Sequence, residues 1–375
     1  MARNRMRIGI DARITYYARG GIRSYTRCLL AGLAALDANT DYVVLHSRKD
    51  RVPPRPGPNF RSLACWTPCH HRLERWALGV ELLPAGLDLL HSPDFIPPCW
   101  GYRRSVITIH DLTFLHYPQF LTRESQRYYN GQIAWAVHRA DHILSDSYAT
   151  KSDLVSLLNV PADTITVAHL AADPAFRPLP EWEVRDRLTR YGLGQGYVLF
   201  VGTLEPRKNL PSLLEAYRLL LDMDVTAAPL VLVGSRGWLY RDVFLQAERL
   251  HLREHIHFLH DVGDQDLPFL YNGAAMLAIP SYYEGFGLPA LEAMACGTPV
   301  VAAERASLPE VVGAAGLLID PDDPRAIADA MARTLTDHTL RGQMRTLGLA
   351  QAARFTWEQT ARTTFGVYQR VLGPD

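Results

Sequence analysis

The chain carries no net charge. Its 39 basic side chains equal its 39 acidic ones, so no overall electrostatic pull favours nucleic acid. Lysine is scarce: Lys49, Lys151 and Lys208 are the only three, and the other 39 − 3 = 36 basic residues are arginine. No apolar run reaches the ~18–20 residues that a membrane span needs. The opening Met1–Ile10 has Arg3, Arg5 and Arg7 but no apolar core before a cleavage site, so it does not read as a signal peptide. Five cysteines, Cys28, Cys65, Cys69, Cys99 and Cys296, are odd in number and scattered, which argues against a disulfide framework and suits a reducing compartment. Cys65-x3-Cys69 followed by His70 and His71 lacks a second ligand pair at zinc-site spacing, so free thiols are expected. No repeat of 20–50 residues and no low-complexity tract stands out.

What is present is alternation. In the first half Arg7–Asp11, Tyr42–His46, Leu87–His91, Val106–His110, His142–Ser145 and Thr164–Ala168 read as strands, with helices over Gly21–Leu36, Arg123–Ala140 and Ala149–Leu158. Pro174–Pro180 reads as a linker, its prolines stiffening the path. The alternation then restarts, with strands at Tyr197–Val201, Pro229–Val233, Ile256–Phe258, Met276–Ile279, Val300–Val301 and Gly316–Ile319. Helices are expected over Leu210–Leu220, Val243–Leu250, Leu288–Ala295, Pro324–Leu335 and Leu340–Arg354. This predicts an α/β protein of two parallel-sheet halves. Ligands of such sheets bind beyond the carboxyl ends of the strands, so chemistry is expected in the loops there. Charge differs between the halves. Residues 1–175 hold 20 basic and 15 acidic side chains (20 − 15 = +5), and the rest hold 19 and 24 (19 − 24 = −5). The basic half suits an anionic acceptor or membrane surface, or is a chance surface imbalance.

Ser281–Met294 reads SYYEGFGLPALEAM. A strand ends, a loop with Gly285 and Gly287 follows, and a helix opens near Leu288 with Pro289 in its first turn. Such a start offers free N–H groups and partial positive charge, so Gly287 and Leu288 suit a diphosphate. Glu284 before the helix and Glu292 one turn inside it can accept hydroxyl donors of a sugar and a ribose. Eight positions of continuous helix span about 12 Å, more than the roughly 5–9.5 Å of glycosidase carboxylate pairs, which favours two binding carboxylates over an acid–base couple. In Phe200–Leu210, FVGTLEPRKNL, Arg207 and Lys208 stand at a strand end beside a helix start and suit phosphate oxygens, or form a solvated basic pair at a turn. Arg19-Gly20-Gly21-Ile22-Arg23 allows close backbone approach to a ligand, though its spacing is not that of a dinucleotide fingerprint. His110, in IHDL at a strand end, can bond a sugar hydroxyl. Asp111 reads as a ligand contact or a helix cap. Ser307 through Glu310 read as the cap of a short helix or as ligand contacts.

Together these strings resemble the glycosyltransferase family 4 group of GT-B enzymes, and the resemblance spans nearly the whole chain: RGGIRSY, IHDL, GTLEPRKN, SYYEGFGLPALEAMACGTPVV and SLPEVVG. It implies the GT-B fold, two Rossmann-like domains facing each other across a crevice. Their expected bounds are 1–175 on the acceptor side and 176–355 for the nucleotide sugar, with 356–375 as a terminal helix crossing back. It implies retaining transfer of a hexose from a nucleotide diphosphate sugar to a glycan or lipid-linked acceptor. Bacterial surface-polysaccharide mannosyltransferases look most similar, so GDP-mannose is the first donor expected and UDP-sugars the next. Glu284 would hold the donor sugar, Glu292 the ribose, and Arg207 and Lys208 the diphosphate. Gly20, Gly21, Gly202, Gly285, Phe286, Gly287 and Leu288 complete the expected donor site, and His110 would touch the sugar near the reacting carbon. The catalytic set is then His110, Glu284, Arg207 and Lys208. No nucleophile is obvious, and a front-face route is implied in which the leaving diphosphate helps take the acceptor proton. No cofactor or metal is expected, because no Asp-x-Asp metal string occurs; Asp264–Asp266 (DQD) reads as helix capping. Two other readings are a GT-B phosphorylase or sucrose-type enzyme and a non-catalytic nucleotide-sugar binder. A cytoplasmic location is expected, with peripheral membrane contact through Arg72–Leu83 as an amphipathic helix, unless that helix buries itself on its own sheet.

Overall fold

The structure, a computed structural model, describes residues 5–373 except 18–19, 72, 122, 226–227, 236, 238–240 and 261. Arg3, Arg19 and Arg72, singled out above, lie outside the described residues. The chain divides into two units, Met1–Leu170 with Thr356–Asp375, and Ala171–Phe355.

The first unit is built on β1 (Arg7–Asp11), β2 (Asp41–Ser47), β3 (Phe60–Cys65), β4 (Leu87–Ser92), β5 (Tyr102–Ile109), β6 (His142–Ser145) and β7 (Ile165–Val167). All pairs are parallel, in the order β3-β2-β1-β4-β5-β6-β7. The inner strands are apolar without alternation because helices cover both faces; Ile8, Ile10, Val44, Leu89, Ile107 and Leu144 are fully buried. The unexpected strand is β3. It is an edge strand, FRSLAC, whose Arg61 is exposed, so it shows neither a buried run nor a clean alternation. β7 is shorter than expected because Ala162–Thr164 forms a 3-10 turn in front of it.

The Gly21–Leu36 helix buries Tyr25, Leu29, Leu30 and Leu33 along one stripe. Against it packs the Trp357–Leu372 helix, opened by Thr356, whose hydroxyl accepts the Gln359 N–H. Gly32 permits that approach: a Cβ there would stand 2.9 Å from Ala361 Cβ and 3.1 Å from the Trp357 carbonyl.

The second unit holds β8 (Tyr197–Val201), β9 (Leu230–Val233), β10 (Ile256–Leu259), β11 (Ala274–Ile279), β12 (Val300–Ala303) and β13 (Leu317–Ile319). They too are parallel, in the order β10-β9-β8-β11-β12-β13. Strand order reverses between β8 and β11, the switch point at which open sheets of this kind bind ligands. The Pro174–Pro180 segment falls in this unit, fastened by Asn272: its Oδ1 accepts the Leu179 N–H and its Nδ2 donates to the Arg177 carbonyl, each at 2.9 Å. Asp266 does not cap the Leu267–Gly273 helix with its side chain, against the capping read for Asp264–Asp266. Its carboxylate instead receives Arg187 Nη1 at 2.6 Å and the Tyr191 hydroxyl at 2.7 Å, tying the Glu181–Thr189 helix to the start of the Leu267–Gly273 helix.

Candidate functional site

Two strings that lie 76 residues apart meet because β8 and β11 are neighbours, with Leu199 opposite Leu277. The loop after β8 carries Arg207 and Lys208 in a 3-10 turn, Pro206–Lys208. The loop after β11 carries Ser281 and Glu284. Lys208 Nζ donates to both Glu284 carboxylate oxygens, at 2.7 and 2.9 Å. Ser281 Oγ donates to Oε1 at 2.7 Å, and Arg207 Nη1 to Oε2 at 3.2 Å. These four contacts fill the roughly four lone-pair positions of a carboxylate. Arg207 also ties the loops together, donating from Nη1 to the Tyr283 carbonyl at 3.2 Å and accepting at its own carbonyl the Tyr282 N–H at 2.8 Å.

Glu205 completes the cluster, with Oε1 2.6 Å from Arg207 Nε. Arg207 and Lys208, expected as phosphate cations, are thus balanced by two buried carboxylates. Burial pushes the Glu284 carboxyl up, but Lys208 and Arg207, with the Ser281 hydroxyl, outweigh it and hold the group at about 2. Burial, and next Arg207, pull the Lys208 ammonium down against the opposing pull of Glu284. Gly202, at the end of β8, donates its N–H to the Val233 carbonyl, and its Cβ position lies against the Lys208 stem, so it seats Lys208.

The Leu288–Cys296 helix starts at Gly287, whose φ of 95° is a glycine conformation. A Cβ at Gly287 would also stand 2.8 Å from Leu308 Cδ2. The first N–H groups of this helix have no intrahelical acceptor, which leaves an anion-favouring start beside the cluster. Gly285 and Phe286 precede it; the Phe286 ring is buried and meets Phe355 edge-on at 5.7 Å, so its backbone faces any ligand role alone. Ser307 does not cap its short helix with its side chain. Its hydroxyl donates to the Glu284 carbonyl at 2.7 Å and pins the loop, in place of the cap expected from Ser307 through Glu310.

Glu292 stands apart from the cation cluster. It is half-buried, and its Oε2 accepts the Tyr271 hydroxyl at 2.8 Å. Burial raises its carboxyl to about 8, helped by Asp173 and Asp264 and opposed by the Tyr271 bond. The two glutamates of the E-x7-E string therefore occupy opposite electrostatic settings, one held ionised and one held protonated near neutrality.

In the first unit, Gly20 precedes the helix that begins at Gly21, with φ 91° and open space where a Cβ would point. His110 follows the end of β5, and its Nδ1 lies 2.6 Å from Asp146 Oδ2. Burial pulls its pKa down, but Asp146, Asp94 and Asp111 outweigh that and leave it raised. Asp111 Oδ1 accepts the Thr113 N–H at 3.0 Å, at the start of the Thr113–His116 turn. All five cysteines are free; burial pushes the Cys65 thiol up to about 12. His70 pairs with Asp94 at 2.5 Å rather than with a cysteine. Among the described residues no group of three or more His, Cys, Asp or Glu side chains is placed to hold a metal ion.

Glu205 and Asp146 were missed in the sequence. Asp146 is foreshadowed by register: Ile109 opposes Ser145 across β5 and β6, so the next residues on both chains, His110 and Asp146, fall side by side.

Comparisons with known proteins bear on the family to which the chain belongs. Residues 19–176 match the model of Glycosyltransferase Family 4, and residues 189–349 that of Glycosyl transferases group 1. The O-antigen chain mannosyltransferase B of Escherichia coli is 41% identical over 303 residues, covering 80% of this chain and 78% of that one. The serotype-specific mannosyltransferase WbdA of Escherichia coli is 30% identical over 275 residues, 72% of this chain but 34% of that one. Among solved structures, sucrose-phosphate synthase from Thermosynechococcus elongatus superposes with a TM-score of 0.77 at 22% identity, over 98% of this chain and 99% of that one, which shows the fold. With both strand systems parallel, the expected motifs at the switch point and these matches along most of its length, the chain belongs to the family 4 and group 1 glycosyltransferases.

Proposed function

We propose that the chain transfers mannose from GDP-mannose to a glycan or lipid-linked acceptor in surface-polysaccharide synthesis, with retention and without a metal ion. The observation that carries this is the 41% identity, over most of both chains, to a protein named as an O-antigen chain mannosyltransferase. In this reading the bond between the sugar C1 and the diphosphate oxygen breaks, C1 bonds the acceptor hydroxyl oxygen, and the acceptor proton passes to the leaving diphosphate. Lys208, Arg207 and the helix start at Gly287–Leu288 meet the charge that develops on the diphosphate, a preorganised electrostatic role. Glu292 accepts ribose hydroxyls. Glu284 fixes Lys208 and Arg207 and takes a sugar hydroxyl in exchange for one of its four protein donors. His110 serves the transferred sugar.

Calorimetry with GDP and UDP tests the donor site. Wild type binds GDP more tightly than UDP, and Glu292→Ala weakens nucleotide binding by about 1.5–3 kcal/mol, the scale of hydrogen bonds to charged groups. Affinity unchanged by the substitution for both nucleotides would sink the assignment, and a preference for UDP would redirect the donor. Turnover of GDP-mannose in the presence of EDTA checks the metal-free chemistry. Sugar phosphate released by inorganic phosphate without nucleotide would mark a phosphorylase. Intact binding without any donor turnover would mark a non-catalytic binder.

The same proposal places the enzyme at the cytoplasmic face of a membrane. Among the described residues no helix is long and apolar enough to cross a bilayer. The Glu74–Leu82 helix buries Leu78 and Leu82 on the sheet, while Trp76, Val80 and the following Leu83 are exposed by 44%, 58% and 60%. Nearby, Arg48 lies over the exposed Trp66 ring at 3.7 Å. An apolar stripe with basic neighbours suits an anionic lipid surface. Pelleting with vesicles containing phosphatidylglycerol is expected, weakened at least several-fold by Trp76→Ser with Val80→Ser; no pelleting of wild type removes the membrane contact.

A further inference from the structure

The His110 main chain is fixed before its ring is considered. Thr150 Oγ1 donates to the His110 carbonyl at 3.2 Å, and Ser147 caps the helix that carries Thr150 by accepting its N–H at 3.1 Å. The Tyr25 ring meets the imidazole edge-on at 4.9 Å. Tyr25 is itself fixed: its hydroxyl hydrogen-bonds Thr108 Oγ1 at 2.9 Å, and Thr108 Oγ1 lies 2.7 Å from His91 Nε2. Asp146, buried just after β6, supplies the remaining hold at 2.6 Å from Nδ1.

His91 shows what a structural histidine looks like in this sheet. Both of its nitrogens are paired, Nδ1 with the Tyr368 hydroxyl at 2.6 Å and Nε2 with Thr108, and burial lowers its pKa to about 3, so it stays neutral. His110, one strand away, is built differently. One nitrogen is paired with a carboxylate, and the other, Nε2, is buried with no hydrogen-bond partner, as is the outer oxygen of its partner, Asp146 Oδ1. Leaving a buried polar atom unpaired costs stability. Here two such costs sit at the two ends of a single bond, on the carboxyl edge where ligands of such sheets bind.

We propose that Asp146 is a positioning residue for the transfer reaction: by accepting the Nδ1 proton it holds the His110 imidazole in one tautomer, with Nε2 presented to a hydroxyl of the carbohydrate substrate. This rests on the reading of His110 as a contact of the transferred sugar. The neutral ring then accepts a hydroxyl proton at Nε2, and the protonated ring donates one. The carboxylate decides which nitrogen does so, in the way that outer partners fix histidine tautomers elsewhere. The charged and titratable groups facing the ring are Asp146 after β6, Asp94 after β4, its neighbour Asp111, Tyr25 from the Gly21–Leu36 helix, and the neutral His91.

The test uses the full chain with 15N-labelled histidine, the His110 signals being assigned by their loss in His110→Ala. In wild type, long-range 15N–1H spectra show His110 protonated at Nδ1, with a titration midpoint above the ordinary histidine value. In Asp146→Asn, which keeps the shape and an acceptor oxygen, the midpoint falls. In Asp146→Ala the Nδ1–H preference is lost. With GDP-mannose as the probe, Asp146→Asn lowers kcat by about 10- to 100-fold, the scale of an outer partner that orients a histidine, with KM changed less than about threefold. The double variant Asp146→Asn/His110→Ala is no slower than His110→Ala alone, the non-additivity of residues acting as one unit. Unchanged His110 tautomer and titration in both Asp146 variants, or additive losses in the double variant, overturns the proposal. If wild type turns over no GDP-mannose, the donor reading fails while the spectra still decide the role of Asp146.

Discussion

Lys208→Ala lowers the unfolding free energy by about 3–5 kcal/mol at pH 7, because it leaves Glu284 as a buried carboxylate stripped of its principal partner. The side chains are 7% and 8% exposed, so water cannot replace the lost ammonium. Arg207, shared with Glu205, already makes its one contact with Glu284 at 3.2 Å and does not take over the two bonds of the lost ammonium. The loss depends on pH with a definite sign. The folded-state value of Glu284, about 2, lies below the ordinary value of 4.5, so its ion pairs contribute stability that is present above pH 4.5 and lost as pH falls toward 2. Without Lys208 the carboxyl protonates more readily, and the gap between variant and wild type narrows toward pH 4. Urea unfolding at pH 7 and pH 4 measures both. Lys208→Met combined with Glu284→Gln recovers part of the loss, since both charges are then gone, yet nucleotide turnover does not return. A deficit under about 1 kcal/mol at pH 7 would mean the pair is hydrated and the cluster is not the rigid unit described.

Glu292→Gln acts in opposite directions on stability and on binding. Its carboxyl is raised from 4.5 to about 8, so the folded chain binds more protons than the unfolded chain between those values. Its penalty is absent at pH 4, grows as pH rises through that window, and is complete above pH 8. Glutamine escapes it. The variant is expected to match wild type at pH 4.5 and to exceed it by about 1–3 kcal/mol at pH 8.5, with the half-exposed setting keeping the gain below the full linkage value. Nucleotide binding moves the other way. A ribose that donates two hydroxyl protons favours the carboxylate, so wild-type affinity for GDP rises from pH 6 to pH 8.5, and binding at pH 7 releases a proton that calorimetry in buffers of different ionisation enthalpy detects. Glu292→Gln binds more weakly and shows no such release. A pH-independent affinity in wild type would remove Glu292 from the ribose site. A gain in stability bought by a loss of ligand is what a site held away from its own optimum predicts.

Much of this was legible in the chain of residues. The period of the apolar runs marks all strands but one, and the exception, β3, is an edge strand with an exposed arginine and a patchy pattern. The strings around Glu284 and Arg207 announce charged groups at strand ends, where local chemistry and position along the chain coincide. What is not legible is who neighbours whom. The Lys208–Glu284 pairs, the Ser307 bond to the Glu284 carbonyl and the His110–Asp146 bond follow from strand order. A string of residues does not display strand order, although the strand register yields it at once. Glu284 and Glu292 look alike in sequence and differ in protonation because one faces two cations and the other a tyrosine hydroxyl and two distant carboxylates.

The first unit is closed by residues made after the whole second unit. Tyr368 and His91, 277 positions apart, share a 2.6 Å hydrogen bond, and Gly32 receives the Trp357–Leu372 helix. On the ribosome the order of completion therefore inverts the order of synthesis. Residues 171–355 form a contiguous unit that has its whole sequence before Thr356 emerges, whereas the earlier unit waits with the docking face of its Gly21–Leu36 helix uncovered. A nascent chain whose emerged part ends between 356 and 368 carries a second unit with its whole sequence outside the ribosome, joined to an unfinished first one. Its exposed helix face is the surface a chaperone would find, and the turns of the Trp357–Leu372 helix are what cover it.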